Sequence, residues 1–237
     1  MTLPTPSLPR PRFAQLGLSL AVAAALAACG GNNNDDDDDA NPPAPAAGQT
    51  LRTSLNAAGG NTGVEARTSQ APTNGADPST VYDDFRLATA STIANVAYQG
   101  IYCVQANGSP APAATASQFV VAIYADAAGR PNLAAPLVQT TVTAAVARQT
   151  FERNVGNVSC GSATNTTWAL YDYRVTLPVP LAVAANTTYW VSVQAISPSY
   201  DVYWGWRAGT ADNNLSLARF QGAYTSFTLD RAYSLLP

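Results

Sequence analysis

The sequence predicts an all-β fold, namely a jelly-roll-like antiparallel β-sandwich of about eight to ten strands. From residue 81 onward, short runs rich in Val, Ile, Thr, Tyr and Phe alternate with clusters of Gly, Pro, Asn and Asp, which is typical of strands and turns. No convincing amphipathic helix pattern follows the N-terminal segment. We therefore expect residues 80–237 to form one β-sandwich domain.

The predicted strands follow one another with turn residues between them. Apolar and polar side chains alternate with period two at residues 171–176 and 189–195, which indicates strands with one buried face. Gly and Pro mark a turn at residues 126–131. The strands are expected at residues 81–88, 92–103, 118–125, 138–146, 168–177, 188–196, 202–206 and 226–230.

The region before the predicted sandwich carries little pattern. Residues 49–79 are rich in Ala, Gly, Asn and Thr, and one short strand is expected there, around residues 50–55. Residues 30–47 contain runs of Asn and Asp followed by several Pro, and both like charges and prolines favour extended chain. Residues 29–79 are thus predicted to be a disordered tether that reaches on the order of 40 Å.

The N-terminal segment has the three parts of a secretory signal. Arg10 and Arg12 supply positive charge, residues 16–28 are apolar, and small residues precede Cys29. The apolar run is shorter than the roughly 20 residues that a transmembrane helix needs. A transmembrane helix, or a secreted protein in which Cys29 is incidental, are the alternatives.

Residues 26–29, with the sequence Leu-Ala-Ala-Cys, resemble the lipobox of bacterial lipoproteins. The resemblance implies that residues 1–28 are a signal peptide that is removed, and that the sulfur of Cys29 then carries covalent lipid. Two or more acyl chains anchor a protein stably in a membrane. Gly30, where an Asp would favour the inner membrane, implies sorting to the outer membrane, with the domain in the periplasm or at the cell surface.

Composition excludes several classes of function. The chain contains no His, which removes imidazole-dependent nucleophilic catalysis and zinc sites with imidazole ligands. Its net charge is −3 and it has no stripe of basic residues, so no nucleic-acid partner is expected.

Two cysteines beyond Cys29 form a candidate disulfide. Cys103 and Cys160 are an even pair, and an exported compartment permits the bond. The bond would stabilise the domain by roughly 2–4 kcal/mol. Two buried free thiols are the alternative, which the polar surroundings of Cys160 disfavour.

Asp83 and Asp84 are the candidate metal ligands, with calcium as the ion. Neighbouring residues of a strand point to opposite faces, so the two carboxylates cannot act as one dyad. Asp126, Asp201 and Asp230 are candidate co-ligands. A structural hydrogen-bonding role is the alternative, and no cofactor other than lipid or calcium is expected.

Catalytic residues are not predicted. Glycoside hydrolysis needs two carboxylates about 5–9.5 Å apart. Glu152, Asp172 and Asp201 are the carboxylates that could serve, but their spacing recommends no pair. A carbohydrate-active enzyme, or its accessory domain, is therefore the alternative to a binding module.

Aromatic residues late in the chain are candidates for ligand binding. Exposed planar rings stack on sugar faces, and Tyr200 and Trp206 are the residues selected for this role. Trp204 and Trp206 lie two apart, so they share one strand face, and core packing is the alternative for both.

Several segments resemble landmarks of a jelly-roll domain found in exported, surface-anchored bacterial proteins. They are residues 81–85, 119–131, 171–173, 181–190 and 204–206. The resemblance implies a fold and no general activity. The resulting expectation is an outer-membrane-anchored lipoprotein that presents a binding or structural module, with a glycan or another envelope protein as its partner.

Overall fold

The described part of the computed structural model consists of residues 50–55, 65–72, 78–104, 116–155, 168–197, 202–210 and 212–237. Within these ranges the chain forms strands and no helix, which confirms the all-β prediction. The strands are β1 (Arg52–Thr53), β2 (Ala66–Thr68), β3 (Gln70–Pro72), β4 (Ser79–Arg86), β5 (Ser91–Val104), β6 (Gln118–Ala125), β7 (Val138–Thr143), β8 (Thr150–Val155), β9 (Trp168–Val183), β10 (Thr188–Ser197), β11 (Val202–Arg207), β12 (Ser216–Phe220), β13 (Ala223–Phe227) and β14 (Tyr233–Leu236).

The strands form two sheets, and the first is built on the long strand β5. Strand β9 pairs with one edge of β5, and β8 pairs with the outer edge of β9. Two strands share the other edge of β5, because β14 pairs with residues 95–98 and β11 pairs with residues 100–104. Strands β1 and β2 extend the sheet beyond β14 and β11.

The second sheet is built in a similar way on β10. Strand β6 pairs along one edge of β10, and β7 lies outside β6. Strand β4 pairs with residues 188–193 of the other edge, and β3 pairs with residues 195–197 in the parallel direction. Strands β12 and β13 continue the sheet beyond β4. All pairings other than β3 with β10 among the described strands are antiparallel.

The core fills the space between the inner faces of the two sheets. Its centre is a group of four aromatic side chains. Three come from the first sheet, namely Tyr98, Tyr173 and Trp204, and Phe119 comes from the second. The rings of Tyr98 and Tyr173 stack with centroids 4.8 Å apart. Phe119 meets Trp204 edge to face at 5.4 Å and so joins the sheets. Each of these side chains is at least 98% buried.

The predicted strands agree with the structure to different degrees. Residues 118–125 match β6, whereas the strand expected at 226–230 lies at Ala223–Phe227. Strands β2, β3, β8, β12 and β14 were not predicted. The sandwich also includes β1 to β3, ahead of the expected boundary at residue 80, because these short strands pair with β14, β11 and β10.

The predicted N-terminal features lie outside the described residues. Residues 1–49 are not described, so the signal peptide, Cys29 and the tether at 30–47 stay predictions. Among the residues that the structure describes, no helix is long and apolar enough to cross a membrane.

The packing of Trp204 against β5 requires a glycine. A Cβ atom built on Gly100 would overlap the indole ring of Trp204. The indole nitrogen is fixed in place, because it donates a hydrogen bond to the Tyr173 hydroxyl at 3.1 Å. Gly100 therefore lets the largest side chain of the central group lie directly against the backbone of the strand on which the first sheet is built.

We predict that Gly100→Ala destabilises the domain by about 1–3 kcal/mol, because the added methyl group displaces a buried ring. Urea unfolding of the domain measures the change. The same substitution in a Trp204→Leu background should cost much less, since the ring that clashes is absent. An equal cost in both backgrounds would contradict this account of the packing.

Candidate functional site

The outer face of the second sheet carries a cluster of aromatic rings separate from the main core. We call it the tyrosine face, and it consists of Tyr82 from β4, Tyr124 from β6, Trp190 from β10 and Tyr224 from β13. Leu217 of β12 packs within it. Cross-strand pairing places these side chains together, because Tyr82 lies opposite Leu217 and Trp190 lies opposite Tyr124.

Two rings of the tyrosine face are buried and two are partly open. Tyr82 is 3% exposed and Trp190 is 1% exposed, whereas Tyr124 and Tyr224 are half-buried. Tyr82 lies between the two partly open rings, with centroids 5.8 Å from Tyr124 and 6.2 Å from Tyr224. The buried rings therefore support the two that reach the surface, which limits their freedom before any ligand arrives.

The tyrosine face is held at one end by a turn. The indole nitrogen of Trp190 donates to Asp126 Oδ1 at 2.7 Å, and the amide of Gly129 donates to Asp126 Oδ2 at 3.1 Å. Asp126 also borders an open cleft of about 520 Å³, which Thr187 and Thr188 help to line. The tyrosine face thus adjoins, at Asp126, a mainly apolar cleft of a size that small-molecule sites commonly have.

The tyrosine hydroxyl groups of this face are neutral, and two of them form hydrogen bonds within the protein. Burial raises the pKa of Tyr82, of Tyr124 and of Tyr224 above the ordinary phenol value, so all three keep their protons at neutral pH. Tyr124 shares a hydrogen bond with Ser192, and Tyr82 shares one with Thr80. Neutral hydroxyls both donate and accept, which suits recognition of other hydroxyl groups.

The predicted carboxylates Asp83 and Asp84 do point to opposite sides of β4. Asp83 is completely buried and accepts a hydrogen bond from the Arg231 amide at 2.5 Å. Asp84 accepts from the Asn213 side chain at 2.7 Å. Within the described ranges, no three His, Cys, Asp or Glu side chains converge to hold a metal ion. The calcium site stays a prediction. The contacts described here are hydrogen bonds to Arg231 and Asn213, which match the alternative of a structural role for both carboxylates.

Asp230 has a clear structural role. It is completely buried, and its Oδ1 accepts from the Leu215 amide at 3.0 Å. Its Oδ2 accepts from the backbone amides of residues 212, 213 and 214. One carboxylate therefore organises the loop that leads into β12, which places the outer strands of the tyrosine face.

A polar network on the first sheet brings together two of the carboxylates considered for catalysis. Gln99 Nε2 donates to Glu152 Oε2 at 3.1 Å and to Asp172 Oδ1 at 2.9 Å. Arg207 donates to Gln99 Oε1 at 2.7 Å, and Arg153 forms an ion pair with Glu152. The shared amide makes Glu152 and Asp172 neighbours, although their spacing in sequence did not indicate it.

The aromatic and cysteine predictions have different outcomes. Trp206 is completely buried, and its indole nitrogen donates a hydrogen bond to the Ala232 carbonyl at 3.0 Å. It therefore packs in the core, as the alternative interpretation expected, and is not accessible to a ligand. Tyr200 and Asp201 lie outside the described residues. Cys160 also lies outside them, and the side chain of Cys103 is not described, so their disulfide stays a prediction.

Of the tyrosine face, only Tyr224 belongs to the late aromatic residues that the sequence made candidates for ligand binding, and Tyr82, Tyr124 and Trp190 were not candidates for it. A usable signal was present, because Tyr82 and Tyr124 occupy strand positions that alternate with Val81 and Ile123, which face the core. Aromatic residues on the face opposite the core predict either a second covering layer or a binding surface.

The fold and this site define an all-β sandwich domain with an aromatic outer face on one sheet. The chain belongs to a family described as a domain of unknown function (DUF7901), whose match covers residues 56–227. No curated protein matches the chain.

The buried Asp83 gives a test of the electrostatics around the site. Burial raises the pKa of Asp83 well above the ordinary value. The folded state therefore binds this proton more tightly than the unfolded state, and the free energy of unfolding should fall as pH rises from about 4 towards the folded pKa. Asp83→Asn keeps an oxygen that can accept the hydrogen bond from the Arg231 amide but cannot titrate. The free energy of unfolding of this variant should therefore depend less on pH over the same range.

Urea unfolding of both proteins at several pH values measures the effect. If the free energy of unfolding of Asp83→Asn depended on pH as strongly as that of the unmodified protein, Asp83 would not be the cause of the pH dependence.

Proposed function

We propose that this protein is an outer-membrane-anchored lipoprotein whose β-sandwich binds carbohydrate without acting on it. The observation that carries the binding role is the tyrosine face, where half-buried Tyr124 and Tyr224 rest on buried Tyr82 and Trp190. Lipid on Cys29 is the proposed anchor, since the sequence around it resembles a lipobox.

Sugar rings and tyrosine rings are chemically matched. A pyranose has one face of C–H groups, which packs against an aromatic ring, and a rim of hydroxyls, which needs donors and acceptors nearby. The tyrosine face offers both, because the half-buried rings of Tyr124 and Tyr224 each carry a hydroxyl group. The cleft beside Asp126 adds the side chains of Thr187 and Thr188 to the polar groups near this face.

The alternative function is a carbohydrate-active enzyme, and one observation favours it. Glu152 and Asp172 both contact Gln99 Nε2, so two carboxylates do lie close together on the first sheet. However, Arg153 and Gln99 already occupy them, which supports a structural network more than an acid and base that are free to act.

For the binding function, we predict that Tyr224→Ala weakens oligosaccharide binding about tenfold, corresponding to the loss of roughly 1.4 kcal/mol. An array of neutral and acidic oligosaccharides identifies a ligand, and calorimetry measures the affinity. The matched control is Phe151→Ala, which removes an exposed ring from β8 of the first sheet. Equal losses in both variants, or no binding by the unmodified protein, would count against the tyrosine face.

For the enzyme alternative, the same oligosaccharides are incubated with the protein and analysed for cleavage. We expect the sugars to be recovered intact. Hydrolysis by the unmodified protein that disappears in Glu152→Gln and in Asp172→Asn would replace the binding module with a glycosidase.

For the anchor, we predict that Cys29→Ser leaves the domain folded but releases the protein from membranes, because no acyl chain can be attached. Membrane fractionation of cells that express each form tests this. A variant that stays in the membrane fraction would show that the apolar N-terminal segment, and not lipid, is the anchor.

A further inference from the structure

We infer that the tyrosine face selects an acidic oligosaccharide, one that carries the carboxylate of a uronic acid. This inference rests on the proposed carbohydrate-binding function and names its ligand class. It starts from two arginines, Arg130 and Arg219, that stand beside the most exposed ring of the face.

Both arginines lie next to Tyr224. Arg130 lies over the ring, with its Cζ 5.2 Å from the centroid. Arg219 is the partner of Tyr224 in the pairing of β12 with β13, and its charge lowers the pKa of Tyr224 and of Tyr82 against the larger effect of burial. Arg130 therefore covers one face of the Tyr224 ring and Arg219 lies beside the ring, so a sugar would stack on the part of the half-buried ring that Arg130 leaves open.

Neither arginine is neutralised by an acidic partner in the described structure. The ion pairs formed there involve Arg52, Arg67 and Arg153. Arg130 belongs to the same turn as Asp126, yet that carboxylate accepts hydrogen bonds from Trp190 and Gly129 instead.

Asp84, a further acidic group on this side of the sheet, is also engaged. It bonds to Asn213, and it lies four residues along β4 from Thr80, the residue that pairs with Arg219. At about 3.4 Å per residue, this places it some 13 Å along the strand from the arginine. Among the residues that the structure describes, no carboxylate forms an ion pair with either arginine at the Tyr224 end of the tyrosine face, and these two charges make that end positive.

A uronate fits this arrangement of charge and ring. Its carboxylate lies at the edge of the pyranose ring, so the ring can stack on Tyr224 while the carboxylate meets a guanidinium beside it. Planar guanidinium and carboxylate groups form paired, charge-assisted hydrogen bonds. A neutral sugar would leave the two arginines without a counter-charge.

The experiment compares oligogalacturonate with its fully methyl-esterified form, which has the same size and rings but no charge. Calorimetry on the full chain in detergent should give at least tenfold tighter binding of the acid, with a preference that shrinks as salt is added. Arg219→Gln should remove most of that preference, and Arg219→Lys should restore part of it. Arg174→Gln, an exposed arginine of β9 on the other sheet, is the matched control for net charge.

The outcomes separate the two proposals. Equal binding of acid and ester that is lost in Tyr224→Ala would overturn the inference and keep the carbohydrate-binding function. Tighter binding of a sulfated oligosaccharide than of the uronate would overturn the assignment of the carboxylate. Binding that is insensitive to Tyr224→Ala would overturn both. Thermal melting of each variant confirms that the fold is retained.

Discussion

The contact between Trp204 and the backbone at Gly100 is the constraint on which the sandwich depends. The indole ring lies where a side chain of β5 would otherwise stand, and Tyr173 holds its nitrogen. From there it reaches Phe119 of the opposite sheet. Burial of large rings is the main source of stability in such a core. The spacing between the sheets is therefore set by aromatic rings that meet edge to face.

The second sheet uses both of its faces, and this explains its site. Val81 and Phe85 of β4 pack in the main core, while Tyr82 between them belongs to the tyrosine face. Because side chains alternate along a strand, rigid packing on one side fixes the positions of the rings on the other. The proposed ligand platform is thus built on strands of the sheet, from β4 and β10 near its centre to β13 at its edge, and not on loops. This arrangement holds a binding surface in a defined shape.

Sequence patterns predicted the parts of the fold that are determined locally. Strand β6 was located to the residue because it is an almost continuous run of apolar residues rich in Val, Ile, Phe and Tyr that ends at a turn signal. Strands β2 and β3 were missed because their short polar sequences become strands through pairing with β11 and β10, which are distant in sequence. The same limit applies to the site. Arg219 and Tyr224 are near in sequence, but Tyr82 and Tyr124 join them only through the sheet.

The edge of β5 that is shared by β14 and β11 has a consequence for folding kinetics. Strand β14 completes half of that edge and is also the partner of β1, so both ends of the described chain meet there. Such contacts close very long loops, which makes folding slow. While residues 233–236 are absent or undocked, part of β5 presents unpaired backbone groups to any passing strand. Docking of β14 should therefore lower the tendency of this edge to aggregate, because it pairs these backbone groups of β5.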